Sequence, residues 1–121
     1  RGLRLIDVLT AAKPPVVVPE LTGNGLWNIP GSAMFFPMHG FRRHIPMNLR
    51  VRRCLKGLES AAAEKKIFHL WFHPTNMVDE IDTMFAGLRQ IMERASELRS
   101  NSKIEFMTMG GIVQRLESRG D

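Results

Sequence analysis

The stretch Ile67-Phe68-His69-Leu70-Trp71-Phe72-His73-Pro74 decides how the rest of the chain is interpreted. Aliphatic and aromatic side chains fill every position from Ile67 to Phe72 except His69, which is typical of a strand that is buried on both faces. Pro74 ends this strand because proline has no backbone N–H to donate to a sheet. Successive side chains of a strand point to opposite faces. One face of the predicted strand therefore carries Ile67, His69, Trp71 and His73.

Helices and short strands alternate along the rest of the chain. Apolar residues at helical spacing predict long helices over 48–66 and 78–99, with Asn48 as the N-cap of the first. The remaining predicted elements are a helix over 1–12, strands over 16–18, 32–36 and 104–107, and a short helix capped by Thr108. A loop rich in glycine and proline joins Glu20 to Pro46. This order predicts one α/β domain over 1–121, with parallel strands covered by helices.

The composition is that of a chain with enough apolar material for a core. Hydrophobic residues make up 44% of the 121 residues, and the formal net charge is +5. Cys54 is the only cysteine, so we expect no intrachain disulfide and a cytoplasmic location. No apolar run approaches the roughly 18–20 residues that a membrane span needs.

His73 is the strongest candidate for chemistry. It lies where the predicted strand ends, and functional groups of parallel α/β folds gather at the carboxyl ends of strands. An imidazole can accept and release a proton near neutral pH, which suits a general acid or base. His69 lies deeper in the strand, where a core histidine with a satisfied hydrogen bond and a functional one are equally compatible with the pattern. At about 3.3 Å per residue, the two histidines are roughly 13 Å apart and cannot bind one metal ion together.

The run from His69 to Pro74, with Asn76 two residues later, resembles the late-strand motif of the polysaccharide deacetylase-like (carbohydrate esterase) family. Three further segments are similar to the later half of this family. They are Gly25-Leu26-Trp27-Asn28-Ile29-Pro30-Gly31-Ser32, Arg53-Cys54-Leu55-Lys56-Gly57-Leu58 and Ile104-Glu105-Phe106-Met107-Thr108-Met109. The similarity extends from about residue 20 onward. It implies the C-terminal part of a (β/α) barrel.

The resemblance implies a metal-dependent hydrolase that removes an N-acetyl group from a sugar or polysaccharide, as in surface-polysaccharide synthesis. His73 matches the histidine that protonates the departing amine, and Trp71 or Leu70 the apolar residue beside it. Substrate contacts are expected from Trp71, Asn76, Arg50 and Arg53. The divalent metal of the family, zinc, is bound by an aspartate and two histidines in the family's first half.

Several family features are missing from this sequence. The paired aspartates and the His-x-x-x-His ligand motif of the family's first half do not occur ahead of the strand, where His39 and His44 are five apart in a loop. His69 and His73 have this spacing, but they belong to the late strand itself. Thr75 stands where related sequences often have histidine. No metal ligand is therefore predicted here, and we expect the chain alone to be inactive as a deacetylase. Its expected partners are an N-acetylated sugar and either the missing N-terminal part of the barrel or a second copy.

A second hypothesis starts from the basic residues. Arg42, Arg43 and His44 precede a predicted helix that carries Arg50, Arg52, Arg53 and Lys56 on its polar side. Guanidinium groups bind phosphate in a bidentate manner, so this region could bind a phosphorylated carrier or nucleic acid. No aromatic residues alternate with these cations, which makes nucleic acid the weaker candidate. A solvated helix surface beside a basic loop is the simpler alternative.

Overall fold

Residues 12–120 are described by a computed structural model, in which helices and short strands are mixed. The helices within this part are α1 (Met47–Glu64), α2 (Ile81–Ser100) and α3 (Met109–Arg119). The strands are β1 (Glu20–Leu21), β2 (Trp27–Asn28), β3 (Ala33–Met34) and β4 (Leu70–Trp71). The helix predicted over 1–12 falls almost wholly outside the described residues. Among those described, no helix has the length and apolar character needed to cross a membrane.

The strands form two small sheets. β3 and β4 pair in parallel, with Ala33 opposite Leu70 and Met34 opposite Trp71, and α1 makes the connection between them. In this β–α–β unit, β3 lies within the strand predicted over 32–36, and β4 lies within the strand predicted over 67–72. β1 and β2 form an antiparallel hairpin inside the loop that the sequence left irregular. The (β/α) barrel that would extend this unit remains a prediction.

The core lies between α1, α2 and the β3–β4 pair. The buried positions of the two long helices recur every three or four residues, which places them on one face of each helix. The Arg94 side chain of α2 adds a polar contact, because its Nε donates to the Glu59 carboxylate of α1 over 2.9 Å. The central apolar cluster consists of Phe35, Val51, Cys54, Leu58, Met77, Met84, Ile91, Ala95 and Leu98.

Some predicted details are wrong. α1 begins at Met47 after an extended Pro46, so Asn48 lies inside the first turn and is not the N-cap. The predicted strand over 16–18 has only one bridge, between Val17 and Ile67, and that bridge is antiparallel. The segment 104–107 pairs with no described strand. β-branched and aromatic residues favour extended backbone, but a strand also needs a neighbour, which local sequence does not specify.

The start of α3 agrees with the sequence. The Thr108 hydroxyl accepts a hydrogen bond from the backbone N–H of Gly111 over 3.0 Å. This contact satisfies one of the free N–H groups at the helix start, and it confirms the predicted capping role of Thr108.

Gly57 allows α1 to pack closely against Phe68, which lies two residues before β4. A Cβ at this position would lie 2.6 Å from Cδ2 of Phe68 and 2.8 Å from Cγ of Pro14. We expect Gly57→Ala to lower the free energy of unfolding by about 1–3 kcal/mol, since overpacking outweighs the roughly 1 kcal/mol gain in helix propensity. Urea denaturation followed by circular dichroism measures this change.

Gly87→Ala is the matched control in α2. Its Cβ would meet the flexible end of Met47, with Cγ at 2.9 Å, and this side chain can move aside. We expect a change below about 1 kcal/mol, because the propensity gain offsets the adjustment. Equal stability of Gly57→Ala and the original protein would contradict the close approach at Gly57.

Candidate functional site

His73 lies just beyond the carboxyl end of β4, where the sequence places it. Its side chain is exposed, and its ring meets the indole of Trp71 edge-on, with centroids 5.7 Å apart and an interplanar angle of 80°. Phe72, between them, turns the other way and meets the buried Phe35 edge-on at 6.3 Å. The alternation of the strand thus turns Phe72 toward the core residue Phe35, although Phe72 itself is 36% exposed, and leaves an imidazole and an indole together at the surface.

Trp71 rests on the loop that leads into β3. A Cβ on Gly31 would lie 2.8 Å from the indole Nε1 and 2.9 Å from Cδ1, so the ring packs directly against this glycine. Trp71 remains 38% exposed, which leaves part of the residue available to a ligand. Sequence reasoning did not assign Gly31 to the site. A glycine next to a strand can mark a close approach by another group, and that was the available signal.

Asn76 holds His73 through the backbone. The Asn76 Oδ1 accepts from the N–H of His73 over 2.8 Å, and the Asn76 N–H donates to the His73 carbonyl over 2.8 Å. Pro74 begins the 3₁₀ turn Pro74–Met77 that brings the two residues together. Asn76 was predicted to contact substrate, whereas these bonds give it a positioning role beside the imidazole.

His69 is tied to the same loop and does not reach the surface as His73 does. Its Nδ1 lies 3.1 Å from the carbonyl oxygen of Pro30, and its backbone N–H donates to the buried Ser32 hydroxyl over 3.0 Å. A carbonyl oxygen only accepts, so Nδ1 carries the proton. The ring of His69 is therefore half-buried and hydrogen-bonded. This agrees with the alternative in which His69 is a core histidine with a satisfied hydrogen bond.

Arg50 does not serve the predicted substrate contact. It is buried, with 3% relative exposure, and its guanidinium donates to the carbonyls of Phe36 (2.6 Å), Ile45 (3.2 Å) and Arg42. Burial, followed by the charge of Arg42, lowers the pKa of Arg50 to about 10, so it stays charged at neutral pH. With its guanidinium bonded to three carbonyls, Arg50 fixes the loop before α1, and this corrects the sequence-based assignment.

Arg53 lies on the same helix, beside the buried Cys54. Its Nε is buried and has no hydrogen-bond partner among the described residues, and the side chain lines a small cavity with Met34. Burial raises the pKa of Cys54 to about 11, with Arg53 opposing the shift, so the thiol is protonated at neutral pH. A protonated, buried thiol is a poor nucleophile, as expected for an apolar cysteine.

Taken together, the described residues bring Trp71, His73 and Asn76 into one surface site and leave Arg50 in the interior. Within 12–120, no group of three or more histidine, cysteine, aspartate or glutamate residues has an arrangement suited to a metal ion. The exposed His39, one of the two loop histidines, has its Nδ1 3.2 Å from Oδ2 of Asp79.

No protein-family model, curated protein or solved structure matches this chain. The resemblance of the motif to the polysaccharide deacetylase-like family therefore stays a prediction.

The basic region keeps fewer available cations than its sequence implies. Besides the buried Arg50, the guanidinium of Arg42 lies over the Phe36 ring, 4.6 Å from its centroid. Arg43 and Arg52 are exposed. Neither of them lines the small cavity that Arg53 lines, so phosphate binding in this region stays a prediction.

Proposed function

We propose that this chain supplies the sugar-binding surface and the proton donor of an N-deacetylase that acts on an N-acetylated sugar or polysaccharide. The observation that carries this proposal is the exposed His73 ring against the Trp71 indole, at the carboxyl end of a parallel strand. Binding sites for small ligands combine an aromatic surface with a few placed polar groups, and this pair has both components.

Each residue of the pair has a distinct task in amide hydrolysis. The exposed indole of Trp71 covers an apolar face of the sugar ring and fixes its orientation. Water adds to the acetyl carbonyl, the amide C–N bond breaks to release acetate, and the His73 ring gives a proton to the departing sugar amine. Asn76 keeps the backbone of His73 in position through its two hydrogen bonds.

A divalent metal belongs to this proposal, but residues 12–120 do not fit one, since they contain no suitable ligand group. We therefore assign no step through a metal to this chain. Ligands from a longer polypeptide or from a partner subunit would complete the enzyme. A cytoplasmic location is also part of the proposal, and it depends on the single cysteine.

Tryptophan fluorescence tests the sugar-binding surface. The chain has two tryptophans, so in Trp27→Phe the emission reports on Trp71 alone. We expect chitin oligosaccharide, an N-acetylated sugar, to change this emission in a saturable manner. Truncating a central aromatic contact costs about 2 kcal/mol or more, so Trp71→Ala should weaken binding at least about thirtyfold in calorimetry.

Trp27→Ala is the matched control, since it removes a tryptophan from the β1–β2 hairpin and should leave the affinity unchanged. Fully deacetylated oligosaccharide tests whether the N-acetyl group is recognised, and we expect it to bind more weakly. Equal affinities of Trp71→Ala and the original protein would overturn the proposed sugar surface.

A further inference from the structure

The outer edge of β4 is open in the part of the chain that the structure describes, residues 12–120. The carbonyls of His69 and Trp71 accept hydrogen bonds from the β3 side, and Ile67 exchanges bonds with Val17. In a parallel sheet, alternate residues direct both backbone groups to the same neighbour, so the intervening residues point to the opposite edge. The N–H and C=O groups of Phe68, Leu70 and Phe72 therefore face away from β3. None has a backbone partner in the described part of the chain.

This open edge borders a groove of about 970 Å³. Phe68 and Leu70 line one wall, and the unpaired segment 104–107 lines another. The floor is formed mainly by apolar side chains of the two long helices. These are Leu58, Ala61, Ile91, Met92 and Ala95.

Three lysines line the groove. Lys65 and Lys66 precede β4, and Lys103 precedes the segment 104–107, so all three lie near the amino ends of the two walls. Lys65 and Lys103 form no ion pair with any residue in the range 12–120. Glu105 is the only acidic lining residue among those described, and Arg115 neutralises it at 2.7 Å.

We propose that this groove binds an extended polypeptide segment that adds a strand to the free edge of β4 and carries acidic residues at one end. The unpaired backbone groups favour a peptide strand over an anionic lipid as the ligand of this groove. An acyl chain would fill the apolar floor but would leave the N–H groups of Leu70 and Phe72 without acceptors. A peptide strand satisfies them, places alternate apolar side chains on the floor, and directs its carboxylates to Lys65 and Lys103.

A synthetic peptide of alternating valine and threonine, with two glutamates at one end, is the probe. We expect it to bind the full chain and to slow hydrogen exchange of the Leu70 and Phe72 amides. The Phe35 amide, which already donates to the Trp71 carbonyl over 3.0 Å, should exchange unchanged. A peptide with proline at alternate positions lacks the required donors and should not bind.

Charge reversal tests the basic end of the groove. Lys65→Glu combined with Lys103→Glu should weaken binding of the acidic peptide about tenfold or more, since paired rim charges set both encounter rate and specificity. Arg43→Glu with Arg52→Glu is the matched control, because these exposed residues do not line the groove, and it should leave affinity within about twofold. Circular dichroism confirms that both variants fold.

Three results would overturn the proposal. One is slow exchange of the Leu70 and Phe72 amides in the free chain, because the edge is then already paired, by 104–107 or by a second copy that light scattering would detect. Another is peptide binding without slower exchange at these amides. The third is unchanged affinity in the Lys65 and Lys103 double variant. The sugar titration is a separate measurement, so either proposal can fail alone.

Discussion

Replacing Arg50 with methionine is expected to lower the free energy of unfolding by about 3 kcal/mol, because the carbonyls it binds lose a charged donor inside the protein. Methionine has a similar length but no donor group, so the carbonyls of Phe36, Ile45 and Arg42 are left without this partner. The Arg42 carbonyl keeps the backbone N–H of Ile45 over 3.1 Å, so the carbonyls of Phe36 and Ile45 carry the loss, at roughly 1–3 kcal/mol for each unsatisfied group. Removing the buried charge recovers part of that loss, because its desolvation opposes folding.

Arg52→Met is the control for Arg50→Met. Arg52 is an exposed residue of the same helix, and we expect its replacement to change stability by less than about 0.5 kcal/mol. Arg50→Lys keeps one charge but lacks the planar fork that reaches several carbonyls, so it should fall between the two. Urea denaturation at neutral pH measures all three variants. An Arg50→Met protein as stable as Arg52→Met would contradict the carbonyl clamp.

Arg50 also shows where sequence reasoning stops. The spacing of apolar residues located α1 and α2 to within three residues at each end, since one face of a packed helix must be buried. Arginine is almost never fully buried without partners, so the same pattern placed Arg50 in solvent. Its partners are loop carbonyls up to 14 residues away, and no local pattern encodes that geometry.

Some of the strands could be predicted from the sequence, and others could not. β4 and the strand around β3 were predictable because apolar runs bounded by proline and glycine favour extended backbone. The β1–β2 hairpin was not, since each strand has only two residues and the turn includes Gly25 at a positive φ of 77°. The segment 104–107 has strand-like residues but no described neighbour, and a neighbour is a property of the tertiary structure.

The candidate site was predictable in part. The position of His73 after β4 follows from strand length and from Pro74. The contact between Trp71 and Gly31 joins residues that are 40 positions apart in the sequence. The reciprocal hydrogen bonds between Asn76 and His73 depend on a 3₁₀ turn. Neither the distant contact of Trp71 nor the local turn at Asn76 can be derived from residue types and spacing alone.

Phe35 links the core to this site, and its loss should have the largest effect on stability. The ring is 1% exposed and meets Phe72 edge-on, while its backbone N–H donates to the Trp71 carbonyl. We expect Phe35→Ala to lower the free energy of unfolding by about 3–5 kcal/mol, since a buried aromatic leaves a cavity that relaxes only in part. Urea denaturation measures it, and the slope of the transition should stay unchanged if the fold is retained.

Phe41→Ala is the matched control, because Phe41 is 68% exposed and its removal should cost less than about 0.5 kcal/mol. Phe35→Leu refills part of the cavity and should recover part of the loss. Because Phe72 lies between Trp71 and His73, loosening its contact with Phe35 should also weaken sugar binding in Phe35→Leu, although no ligand touches residue 35. Equal losses in Phe35→Ala and Phe41→Ala would show that Phe35 is not part of the core. Unchanged sugar affinity in Phe35→Leu would show that the surface pair is held by Gly31 and Asn76 alone.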